Sequence, residues 1–79
     1  MPKPRIRAVV EWYSNEEGWG ALAESDDAPG GVFVHFSAIQ TDDYKGLRAG
    51  QEVEAVLEGP LSYEQDGYRY RATAVWPLT

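Results

Sequence analysis

Along this 79-residue chain, apolar residues recur mostly at every second position, in short runs interrupted by glycine, proline and Asx clusters. That period belongs to β-strands with one buried face, so the chain reads as all-β. Five strands are predicted, over residues 5–13, about 18–24, 32–36, 51–59 and 68–76. In the first, Ile6, Ala8 and Val10 share a face. In the fourth, Val53, Ala55 and Leu57 do, opposite Glu52, Glu54, Val56 and Glu58. In the fifth, Tyr68, Tyr70, Ala72 and Ala74 alternate with Arg69, Arg71, Thr73 and Val75. Pro29-Gly30-Gly31 and Asp66-Gly67 are turn signals between strands. Residues 37–50 are irregular and hold at most one helical turn, because Gly46 and Gly50 oppose a longer helix. Five short strands in so small a chain favour a closed or nearly closed barrel, which leaves no exposed sheet edge. The expected core is Val10, Leu22, Val32, Val34, Ile39, Val53 and Val75.

The phase of strands two and three has a consequence. With Leu22, Val32 and Val34 inward, Trp19, Ala21, Phe33 and His35 point outward on neighbouring strands. Trp19, Phe33 and His35 are then at least partly exposed, and Ala21 leaves a gap among them. An outward aromatic patch on a small protein marks an interaction surface. Periodicity alone equally allows Trp19 and Phe33 to pair across the strands and stiffen the sheet. Gly18 and Gly20 flank Trp19, leaving open backbone that a flat ring can approach. Trp12 follows strict alternation into the core beside Val10 unless a bulge shifts the phase.

Composition narrows the chemistry. Thirteen acidic groups against seven basic ones give a net charge of −6, which argues against a grip made mainly on phosphates. No cysteine is present, so disulfides and thiolate metal sites are excluded and packing alone must stabilise a small core. The lone histidine, His35, has no second His, Cys or carboxylate pair near it in the sequence, so neither an enzyme nor a metal or cofactor site is expected. The basic start of the chain lacks an apolar run long enough for a signal peptide or a membrane span, and a cytoplasmic protein is expected.

The residues resemble one known family, the cold-shock domain. "EWYSNEEGWGAL" is similar to its first ribonucleoprotein motif, and "VFVHFSAIQ" matches the second motif together with the Ser-Ala-Ile after it. "YKGLRAGQEVEAVLEG" and "ATAV" resemble its later strands, so the likeness covers nearly the whole chain, one domain over 1–79 with its core about 5–77. It implies a five-stranded antiparallel OB-fold barrel that binds single-stranded DNA or RNA by stacking bases on surface aromatics. It further implies an RNA chaperone or a transcription or translation regulator; a monomer is expected over a dimer, although exposed aromatics can also pair two copies. Carried over by position, the stacking residues are Trp12, Trp19, Phe33, His35, Phe36 and Tyr44, and Tyr13, replacing another Phe, is a lesser contact. Arg69 and Arg71 are further lesser contacts if they face the same side, where their charge would partly offset the acidic residues. The chain departs from the family at Ala21, where the family has a second stacking Phe, and at Glu11 and Glu17, where it usually has Lys. Ala21→Phe is therefore expected to restore a platform. Those departures also motivate an alternative, a protein-interaction module on the same barrel with weakened or lost nucleic-acid binding.

Overall fold

The computed structural model describes residues 4–42 and 46–78. Five strands form, each near its expected place: β1 (Ile6–Ser14), β2 (Trp19–Leu22), β3 (Val32–His35), β4 (Glu52–Glu58) and β5 (Arg71–Pro77). They close into a barrel in the order β1-β2-β3-β5-β4. One 3₁₀ turn, Phe36–Ala38, follows β3; it takes in Phe36, expected as the last residue of the third strand, and opens the segment expected to hold at most one helical turn. Four ladders are antiparallel, whereas the closing pair, β3 with β5, runs parallel at Phe33 opposite Arg71. That one departure from an all-antiparallel sheet follows from closure: five strands, an odd number, cannot alternate in direction all the way round a ring, so one pair must meet in the same direction. This is the OB-type barrel. Among the described residues, no helix is long and apolar enough to cross a membrane.

All seven expected core residues are buried, packed with Ala8, Ala28, Leu47, Ala55 and Ala72. Each strand contributes its inward set at alternate positions, and two bulges set where the alternation breaks. In β1, Val10 lies opposite Leu22, yet Trp12 lies opposite Ala21, so Glu11 is the extra residue. The phase flips there. Trp12 turns outward and Tyr13 turns inward, where it packs against the core. In β5, Ala72 pairs with Leu57 and Ala74 with Val56, leaving Thr73 as the extra residue. Ala72 and Val75 both face the core as a result, and strict alternation from 68 to 76 does not hold. The Thr73 hydroxyl donates to the Val56 carbonyl at 3.2 Å, across the same irregular step.

The fifth strand also starts later than expected. Residues 68–70 belong to a hairpin tip, because Asp66 and Gly67 both take left-handed φ values, 51° and 90°. Reciprocal bonds close this turn, Gln65 N–H to the Tyr68 carbonyl at 2.8 Å and Tyr68 N–H to the Gln65 carbonyl at 2.9 Å. Left-handed geometry at both central positions gives a turn of the primed type that Asp-Gly favours.

Candidate functional site

The outer face of β1-β2-β3 carries an aromatic row. The Trp12 and Trp19 rings meet edge to face, with centroids 4.7 Å apart and planes at 76°. Trp19 then lies over Phe33 at 5.4 Å and 30°. The bulge at Glu11 makes this possible by bringing Trp12 to the outside, opposite Ala21. His35 stands opposite Trp19 at the end of β3, and its ring lies 4.5 Å from that of Phe36. Both are exposed. Trp12, Trp19, Phe33, His35 and Phe36 are thus brought onto one surface, and Tyr44 lies outside the described residues.

Three expectations about this face need correction. Phe33 is only 5% exposed, although the core lies on the other side of the sheet and Val34 faces it. Its outward ring is covered by neighbouring aromatics rather than by the barrel interior. Ala21 is likewise on the outer face and only 1% exposed, so it is no open gap. Tyr13 packs against the core, half-buried, and does not join the aromatic row.

The two glycines around Trp19 have internal reasons. A Cβ on Gly20 would come 2.4 Å from the Trp12 carbonyl oxygen and 2.6 Å from the Tyr13 Cα. Gly20 therefore lets the bulged segment of β1 pass close against β2, and is not backbone left open for a ligand. Gly18 takes φ +80° in the β1–β2 turn and lies beneath the Phe36 ring.

His35 is held by the turn after it. The Ser37 N–H donates to His35 Nδ1 at 3.2 Å, and the Ser37 hydroxyl lies 2.8 Å from the same nitrogen. With Nδ1 accepting, the neutral ring carries its proton on Nε2. A cleft of about 390 Å³ opens beside Phe33 and His35, walled by Ser37, Gln65, Arg71 and Thr73. Arg71 is the arginine that reaches this site, and it is ion-paired with Glu58. Arg69 does not line the cleft; its guanidinium donates to the Leu61 carbonyl at 3.3 Å. Arg5 and Arg7 pair with Glu54 and Glu52 on the β1–β4 side, and Arg5 also caps the Trp76 ring at 3.5 Å. Glu11 and Glu17 are exposed near the aromatic row. Among the described residues, the surface is thus rich in π-faces and poor in available cations.

Sequence reasoning missed Gln65, which walls the cleft, and Tyr68, whose hydroxyl accepts a hydrogen bond from the Trp12 indole at 3.2 Å. The Asp66-Gly67 signal placed both beside a turn. It carried no information on where that turn folds.

A family model described as the "Cold-shock" DNA-binding domain matches residues 6–77. The chain is 44% identical to the cold shock-like protein CspI of Escherichia coli (strain K12) over 57 residues, 71% of this chain and 80% of that protein. It is 47% identical to the major cold shock protein CspA of Bacillus cereus over 55 residues, 67% and 76% of the two chains. With the cold shock-like protein CspB of Bacillus cereus it shares 54% over 50 residues, 61% and 71% of the two.

Proposed function

The chain belongs to the cold-shock DNA-binding domain family, a nucleic-acid-binding module, and from that premise we propose that its aromatic face binds single-stranded DNA or RNA by stacking unpaired bases. The observation that carries this is the row Trp12–Trp19–Phe33, continued by exposed His35 at the end of β3 and by Phe36 in the turn after it. Stacking on one aromatic ring contributes about 1–3 kcal/mol per base and tolerates any sequence, because every base has a π-face. Several rings sustain binding even where ionic attraction is weak, which suits a chain of net charge −6. An activity of this kind suits an RNA chaperone or a regulator of transcription or translation, since it keeps strands single without demanding a sequence.

Titration with a short thymine-rich oligonucleotide tests the reading. Base stacking on Trp12 and Trp19 should quench their fluorescence, while Trp76, under Arg5 on another face, supplies unquenched reference emission. Saturable quenching that Trp19→Ala weakens supports the proposal. Absence of binding even at low salt would overturn it and favour a protein partner for the same face.

A further inference from the structure

Tyr68, at the hairpin tip, touches groups that belong to either side of β2. Its hydroxyl accepts a hydrogen bond from the indole N–H of Trp12, on β1. Its ring lies against Gly31 at the entry to β3, where a Cβ would stand 3.3 Å from the ring. Strand β2 runs between β1 and β3, so these two contacts place the tyrosine ring beside its outer face. The register puts Trp12 opposite Ala21, and Ala21 is the outward β2 residue that is almost wholly covered. We infer that Tyr68 supplies from the hairpin tip the ring that Ala21 lacks, and acts as a positioning residue that fixes the Trp12 indole for stacking. The second half of this inference rests on the base-stacking reading above; the first half does not.

The tip is built to hold the ring in place. The turn at Asp66-Gly67 is closed by hydrogen bonds on both sides, and Leu61 N–H donates to the Arg69 carbonyl at 2.7 Å one step further down. Gly31 leaves space for the ring edge. The hydroxyl has a chemical consequence as well. An indole N–H is a donor only, and here it is already engaged by Tyr68. Trp12 then meets a ligand through its π-face alone, which favours stacking over hydrogen-bonded reading of a base edge.

Four variants of the full chain test this: Tyr68→Phe, Tyr68→Ala, Ala21→Phe, and the last two combined. Tyr68→Phe keeps the ring and removes only the anchor. It should melt close to the parent, change the near-ultraviolet circular dichroism of the Trp12–Trp19 pair, and weaken the thymine-rich oligonucleotide. Tyr68→Ala should weaken it by about fivefold or more, the lower end of one stacking ring. Ala21→Phe alone should lower the melting temperature, because two rings then compete for one space. Combined with Tyr68→Ala, it should recover both melting temperature and affinity. The inference falls if Ala21→Phe is tolerated equally well with and without Tyr68, or if Tyr68→Phe leaves both spectrum and affinity unchanged. Should the parent protein bind no oligonucleotide, the stacking reading fails, and the melting comparison still decides whether the two rings share a space.

Discussion

Phe33 and Phe36 lie three residues apart and meet different fates. Phe33 points away from the core and is nonetheless buried, because Trp19 lies over it; Phe36, in the 3₁₀ turn, keeps 46% of its surface exposed. The first ring therefore carries stability and the second does not. Phe33→Ala is expected to destabilise the fold by about 3 kcal/mol, in the range for a buried aromatic. Any loss of binding in that variant would be mixed with partial unfolding. Phe36→Ala should change stability by no more than about 0.5 kcal/mol, yet weaken oligonucleotide binding by about 1–3 kcal/mol if a base stacks there. Chemical denaturation beside a fluorescence titration separates the two. Equal binding by the Phe36 variant and the parent would remove that residue from the site.

At the scale of elements, period two was enough to place five strands and the inward residues of β2, β3 and β4. It failed where the chain carries an extra residue. Nothing in "VVEWYS" marks Glu11 as that residue, because a bulge is chosen by how β1 packs on β2 and not by local propensity. Trp12 and Tyr13 could be assigned to opposite faces only once that register was known. The same holds at Thr73, which turns both Ala72 and Val75 inward. Tyr68 was illegible for a different reason: its partners, Trp12 and Gly31, are distant in sequence, and alternation describes only neighbours. Gly20 is the residue on which the β1 bulge depends. Gly20→Ala would drive a methyl group into the Trp12 carbonyl and the Tyr13 backbone, which cannot swing aside as a side chain would. A loss of about 3 kcal/mol or more is expected, at the upper end for overpacking. A melting temperature unchanged in this variant would show that the two strands are not so close.

Taken as a whole, the molecule sets seven basic groups against thirteen acidic ones. Arg5, Arg7 and Arg71 each sit beside a carboxylate, and Arg71 is the one at the cleft. Exposed pairs of this kind add little stability but lower the local positive potential. The logarithm of affinity should thus fall only gently with the logarithm of salt, at about −0.7 for each phosphate contact made. Glu58→Gln removes the partner of Arg71 and should steepen that slope by about 0.7. Glu11→Lys with Glu17→Lys should tighten binding and steepen it by up to about 1.4, if both side chains reach the strand. A slope that the double change leaves unaltered would place those two positions away from the ligand.

Barrel closure has one further consequence. The seam between β3 and β5 meets at Phe33 opposite Arg71, and the Phe33 amide donates across it to the Tyr70 carbonyl at 2.8 Å. A residue of the aromatic row and an arginine of the cleft are therefore also part of the join that shuts the cylinder, which the Ile39–Val75 bridge continues. Whatever lies on that surface spans the join, and must favour the shut form over any form with the join parted. Linkage then makes the ligand a clasp: at about 100 times its Kd it adds about 2.7 kcal/mol to the closed state. Amide hydrogen exchange reads this directly. The Phe33 amide should exchange more slowly once oligonucleotide is added, and by a larger factor than the amides between β1 and β4, where nothing new is held together.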